Sequence, residues 1–384
     1  MYARLRKRFG LILLLCGVNA GLVAQVPPQY KVDAAWPGHL PNNWILGHVE
    51  GIVVDKQDHI WVLHFTRSIP EDDAGLAQKP PLYECCISAP AVLEFDSKGN
   101  VLRSWGGSGY VKDWPAAEHG FWLDGEENVW ISGNWGPPIN FRVKELEPLP
   151  YDRQLLKFSK DGKLLLAIGG TSRNPVNNQN TAELGGVSSI QVDGARHEVF
   201  AADGYMNRRI VVYDSHTGAF RRGWGAYGAP LSEIDNEKPK DKYDPKAPPS
   251  KQFRGPLVGL RLSNDGLLYV SDRGNDRIQV FTEDGKFVKE FFVSTNTLGL
   301  GAAWALGLSH DPKQQYLYIG DSGNGKVWIL NRADGKLLSQ FGNKGHNAGE
   351  FDLIDAIAED SHGNLYTGEV KYNNRLQKFV PVRK

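Results

Sequence analysis

The sequence predicts an all-β fold, a six-bladed β-propeller of four-stranded blades closed by its N-terminal strand. Three observations carry this expectation. A hairpin unit recurs along the chain, six short apolar segments repeat as blade openings, and a lone early strand matches a final blade that is one strand short. The cleanest copy of the unit is Asp203–Tyr227, DGYMNRRIVVYDSHTGAFRRGWGAY. It returns as YVSDRGNDRIQVFTEDGKFVKEFF (Tyr269–Phe292) and as YIGDSGNGKVWILNRADGKLLSQFG (Tyr318–Gly342), with weaker copies at Val92–Gly107 and Leu155–Gly170. Each joins period-two apolar runs through Asp/Gly or Asn/Gly turns, the pattern of a hairpin. Repetition at a spacing of roughly 40 to 70 residues points to a propeller or solenoid.

Met1–Ala24 reads as a signal peptide. Arg4, Arg6, Lys7 and Arg8 form its basic start, Phe9–Val18 its apolar run, and Ala20 and Ala24 offer small residues for cleavage. That run is too short to span a bilayer, so no transmembrane segment is expected. The mature chain, residues 25–384, is expected as one propeller in the periplasm or outside the cell, in an oxidising compartment. The 44 basic and 44 acidic residues cancel, which gives no reason to expect nucleic acid or a membrane surface as partner.

Tyr30–Trp36 (YKVDAAW) is the lone strand, and the last repeat, Ala356–Phe379, has three strands. Ring closure by residues 30–36 would remove the exposed edges of an open array. Inner strands are expected to begin near Gly51, Gly120, Ser189, Gly259, Ala305 and Ala356. Trp105, Trp224, Phe292 and Phe341, at the ends of outer strands, are expected to wedge between neighbouring blades.

The long insertions fall at Thr66–Pro90 and Trp135–Tyr151, between second and third strands, and at Ala226–Arg254, between blades. In an up-and-down blade these connections leave from one face, where a binding site is expected. His59, His197, His216, His310 and His362 fall on the bare face, whereas His48, His64 and His119 lie near the looped one. The residue before each inner strand should point into the channel at its looped mouth. That ring reads Glu50, His119, Ser188, Val258, Trp304 and Asp355. Glu50, His119 and Asp355, from adjacent blades of the closed ring, are either ligands of a divalent metal or a hydrated polar lining. Tyr205 and Arg273 follow the second strands of blades three and four, where they are either an acid–base group and a carboxylate clamp or, respectively, a structural tyrosine and a solvated arginine of a polar turn.

Cys85 and Cys86 are the cysteines left after export. A disulfide between neighbours requires a strained eight-membered ring, yet neither cysteine has another partner in the chain. We expect the vicinal disulfide, with free thiols or pairing to another chain as alternatives.

These hairpin units resemble NHL repeats, and Val49–Phe379 resembles peptidylglycine alpha-amidating lyase. The resemblance implies a six-bladed propeller holding zinc, which cleaves peptidyl-alpha-hydroxyglycine to a peptide amide and glyoxylate. Its zinc-histidine positions fall on His119 in EHGFWLD, Val258 in GPLVGLRLS and Asp355 in LIDAIAED, so two of three imidazoles are missing. Its catalytic Tyr falls on Tyr205 in DGYMNRRI, and its fourth-blade Arg on Arg273 in SDRGNDRIQ. The first-blade Phe-His-Arg falls on Leu63-His64-Phe65, with Arg67 nearby, and a calcium carboxylate falls on Ala356. Loops Thr66–Pro90 and Ala226–Arg254 lie outside the pattern.

The first expectation is therefore a lyase-like propeller that binds a small molecule, peptide or protein at its looped face without performing the family's reaction. The second is a metal-dependent lyase with a site rebuilt on His119, Asp355 and Glu50, suited to zinc, calcium or manganese. The third is an interaction module. Metal content discriminates the second from the others.

Overall fold

The computed structural model describes residues 27–136, 146–237, 239 and 241–382. The expected signal peptide, residues 1–24, lies outside the described residues. Among those described, six four-stranded antiparallel sheets form the blades. Their inner strands are His48–Val54, Glu118–Leu123, Val187–Asp193, Leu260–Leu262, Leu306–Leu308 and Leu353–Glu359. No helix of the described residues is long and apolar enough to cross a membrane.

Burial explains the strand sequences. The second strand of blade three, Glu198–Asp203, is buried at every residue because sheets cover both its faces. Its outer strand, Phe220–Trp224, is exposed at Phe220 and Arg221 and buried only at Trp224. On the bare face the turns are held by side chains. Asp55, Asp96, Asp124 and Asp360 each accept backbone N–H groups two and four residues ahead.

On the looped face the repeat grammar is a buried staple. Asp203 takes Arg209 at 2.8 Å and Asp272 takes Arg277 at 2.9 Å, all four without accessible surface. Glu369 takes Arg375 at 2.7 Å. An Asn amide joins each, from Asn207, Asn275 and Asn373. The polar run after each second strand is thus core architecture, and its carboxylates are desolvated in pairs with planar donor forks.

The ring closes as expected: Tyr30–Asp33 pairs antiparallel with Leu376–Pro381, Tyr30 opposite Pro381 and Asp33 opposite Lys378. The Tyr30 hydroxyl meets that of Tyr318 at 3.0 Å. The strand ends sooner than Trp36. The chain turns at Asp33, whose carbonyl takes the Trp36 N–H, and the buried indole packs between Phe95 and Tyr366.

One wedge residue is shifted. Val92, Ile210, Ile278 and Val327 face Trp105, Trp224, Phe291 and Phe341 across the ladders. Phe291, not Phe292, therefore holds the wedge position. It is 8% exposed and Phe292 44%, as period-two alternation requires.

Candidate functional site

The mouth of the channel is built by bulges. Ladder register breaks between Val49 and Gly51, Glu118 and Phe121, Val187 and Ser189, and Ile354 and Ala356. These four inner strands therefore start earlier than expected and run through the ring positions, whereas those of blades four and five begin at Leu260 and Leu306, just after Val258 and Trp304. Glu50, His119, Ser188 and Asp355 are the residues at these breaks, where a bulge re-aims a side chain out of the pleat.

The structure brings together most of the expected residues. Glu50, His119, Asp355, Tyr205 and Arg273 line one cavity of about 140 Å³, with His48, Asn134, Leu300, Trp304 and Val370 among its other walls. The ligand atoms of Glu50, His119 and Asp355 lie within 4.8 Å of one another, all three residues buried. His119 Nε2 is 3.4 Å from Glu50 Oε2 and 3.5 Å from Asp355 Oδ2. His119 Nδ1 donates to the Ser188 carbonyl at 3.1 Å, which leaves a lone pair on Nε2. Into it the Tyr205 hydroxyl donates at 2.6 Å.

Burial sets the electrostatics. Desolvation lowers the pKa of His119 against the opposing pull of Asp355, so its imidazole is neutral. Asp355 is pushed up to about 7, first by desolvation and then by the adjacent Glu50 carboxylate. Tyr205 is raised well above its ordinary value by desolvation and by Asp355 and Glu50. Its hydroxyl stays protonated.

Arg273 lies over the Trp304 ring, 4.0 Å from its centroid, and the indole N–H is held by the Leu300 and Gly301 carbonyls. Among the described residues no hydrogen-bond acceptor meets the guanidinium. Opposite, Val258 packs with Trp304, Leu353 and Val370 as an apolar cluster. One side of the mouth is acidic and imidazole-bearing, the other apolar with one open cation.

Other candidates lie elsewhere. His64 is fully buried between a backbone N–H from Gly47 at Nδ1 and the Pro90 carbonyl at Nε2, and desolvation pulls its pKa down to about 4. It is a neutral strut of loop 66–90. Arg67 donates to the Ala116 carbonyl and to Ser108, and lines a separate surface groove with Trp44 and Tyr110. Cys85 and Cys86 are joined by a disulfide in loop 66–90. On the bare face, His59 meets Glu94 at 2.9 Å and is not simply solvated. Arg103 and Trp61 also hold the carboxylates of that group, which closes it as an ion-pair network.

Two residues of the mouth were legible but missed. Asn134 follows the second strand of blade two, as Tyr205 and Arg273 do in theirs, and its buried side chain joins the same cavity beside Tyr205. His48 precedes Glu50 by two positions, and its Nδ1 is 3.5 Å from Glu50 Oε1.

A divalent cation fits this donor set. Three ligand atoms converge, His119 presents Nε2 by virtue of its Ser188 bond, and Asp355 Oδ2 is buried without a hydrogen-bond partner among the described residues.

Comparison with known proteins agrees with the scaffold. Residues 257–281 match the NHL repeat family. The chain is 25% identical over 91% of its length to peptidyl-glycine alpha-amidating monooxygenase B of Xenopus laevis, covering 35% of that protein. It is 25% identical over 93% of its length to peptidyl-alpha-hydroxyglycine alpha-amidating lyase 1 of Drosophila melanogaster, covering 61% of it. The chain thus spans about a third of the length of the monooxygenase. A streptogramin B lyase structure shares the fold, with a TM-score of 0.50, 12% identity, and coverage of 88% of this chain and 94% of that one. The chain is a six-bladed propeller with an NHL repeat at residues 257–281 and a scaffold similar to these lyases.

Proposed function

We propose that the chain is an exported, metal-dependent lyase whose looped mouth takes the carboxylate end of a peptide terminating in α-hydroxyglycine and releases glyoxylate. The observation that supports this most is the open Arg273 guanidinium, fixed over Trp304 beside the His119–Tyr205 pair. A guanidinium without an acceptor among the described residues suits a ligand carboxylate, which it can clamp through two parallel hydrogen bonds. The cavity, about 140 Å³, has room for the terminal unit, leaving the rest of a peptide on the rim.

Glu50, His119 and Asp355 would hold the metal. When bound, it supplies Lewis-acid polarisation of the substrate hydroxyl oxygen. Tyr205 must release His119 Nε2 for that, and its freed hydroxyl becomes the proton carrier. It hands its proton to the departing amide nitrogen and takes the substrate's hydroxyl proton in its place. The electron pair left on oxygen closes the glyoxylate carbonyl as the C–N bond breaks. Arg273 keeps the carboxylate fixed throughout, and the Val258 cluster keeps water from that wall.

Binding without turnover is the second reading, and one observation favours it. Val258 stands in an apolar cluster where the related lyases place a zinc ligand, so the metal rests on a different set of donors. Titration with a peptidyl-α-hydroxyglycine separates the two. Saturable binding lost in Arg273→Met, with glyoxylate formed, supports the lyase; the same binding without glyoxylate supports the ligand-binding propeller; no binding overturns both. Export belongs to the proposal too, and an N-terminus of the secreted protein near Gln25 would support it.

A further inference from the structure

The opposite end of the channel holds a second cation, Arg261, with no ion-pair partner among the described residues. A cavity of about 130 Å³ opens there, lined by residues from all six inner strands, among them Ile52, Trp122, Gln191, Arg261, Leu308 and Ile357. Arg261 donates to the Leu260 carbonyl at 2.7 Å and to the Ile357 carbonyl at 3.2 Å, and its guanidinium lies 5.5 Å from the Trp122 ring centroid. Neither acceptor carries charge, and no ion pair to Arg261 is formed among the described residues. Glu359, the carboxylate on the same cavity wall, is turned to the Tyr30 and Tyr318 hydroxyls and the His310 N–H. Desolvation alone pulls Arg261 down to about 10.

Two buried arginines of the ring have a carboxylate, Arg209 with Asp203 and Arg277 with Asp272, whereas Arg153 and Arg208 rest on carbonyl and thioether acceptors. Arg261 is half-buried at the cavity wall, and a partly desolvated charge without an ion pair is offset by carbonyl dipoles only in part. The walls are aliphatic and aromatic, with side-chain amides from Gln191 and Gln314. That lining suits a small, weakly hydrated monoanion better than phosphate.

We propose that the bare-face end of the channel is an anion site in which Arg261 binds a small monovalent anion, a short carboxylate such as acetate or a halide. This site is independent of the chemistry proposed at the looped mouth.

The test uses the mature chain in an Arg273→Met background, which removes the cation at the other mouth. Acetate and chloride are titrated separately at constant ionic strength, and the melting temperature is read. A saturable rise of about 2–4 °C is expected, absent when Arg261→Met is added. Acetate acting at lower concentration assigns the site to carboxylates, chloride to halides. No rise with either anion, or equal rises with and without Arg261, overturns the proposal. Should the double variant fail to fold, crystals of the unaltered protein soaked in bromide decide it. An anomalous bromide peak, or acetate density from a separate acetate soak, within hydrogen-bond reach of Arg261 supports the site, and neither anion there refutes it.

Discussion

The Tyr205 hydroxyl, from blade three, lies 2.6 Å from His119 Nε2 in blade two. The two residues are 86 positions apart, and the propeller alone brings them together. Burial, with neighbouring carboxylates, keeps the phenol protonated, and Ser188 keeps the imidazole in the tautomer that receives it. Replacement by Tyr205→Phe keeps the ring and removes the proton. Turnover is expected to fall about 10²- to 10⁴-fold while carboxylate binding at Arg273 changes little. Equal losses in binding and turnover would make Tyr205 a structural residue.

Ring closure predicts a measurable cost of truncation. Removing residues 27–36 strips a four-residue ladder, the Tyr30–Tyr318 contact and the buried Trp36. Stability should drop on the order of 5 kcal/mol. Denaturant unfolding of the shortened chain checks this, and an unchanged midpoint would show that the blade stands without the strand.

Much of this architecture was legible because it is written locally. Hairpin turns, alternation and the orphan strand are properties of ten or so neighbouring residues. The ring of channel positions was legible for the same reason, one residue ahead of each inner segment. Bulges were not, since a bulge is a relation between two strands. The Phe291–Phe292 assignment slipped for a related reason, because two adjacent phenylalanines satisfy the apolar pattern and only the partner strand decides which faces in. The Arg277–Asp272 pair joins two strands, and it shows only once they lie side by side without accessible surface. Asn134 needed only the rule already applied to Tyr205 and Arg273, carried to one more blade.

Stability should also depend on pH through Asp276. Its side chain has no accessible surface, Oδ1 accepts the Ala302 N–H, and Oδ2 has no hydrogen-bond partner among the described residues. Desolvation, with Asp321 and Asp272 adding to it, raises its pKa from 3.8 to about 7. A carboxyl raised on folding favours the folded state while protonated. That contribution is complete below the unfolded pKa and is lost as pH rises through about 7. Asp276→Asn, which tolerates the left-handed backbone at this position, should flatten the curve and gain on the order of 2 kcal/mol at pH 8. Melting curves from pH 5 to 8 that run parallel for both proteins would contradict this.

Loop 66–90 carries the Cys85–Cys86 disulfide at the looped face. Alkylation of residues 25–384, purified without reductant, should add no mass, and after reduction two groups. Two groups added before reduction would show free thiols in solution.

The central claim is a metal-dependent lyase site on Glu50, His119 and Asp355. Its most direct measurement is glyoxylate release from an N-acyl peptidyl-α-hydroxyglycine by the mature protein, stripped of metal and then resupplied with zinc, manganese or calcium. Release is expected with metal, lost on chelation, and absent in His119→Ala, which also fails to retain stoichiometric metal. Metal-independent release, or none from a folded protein that holds its metal, would contradict the account.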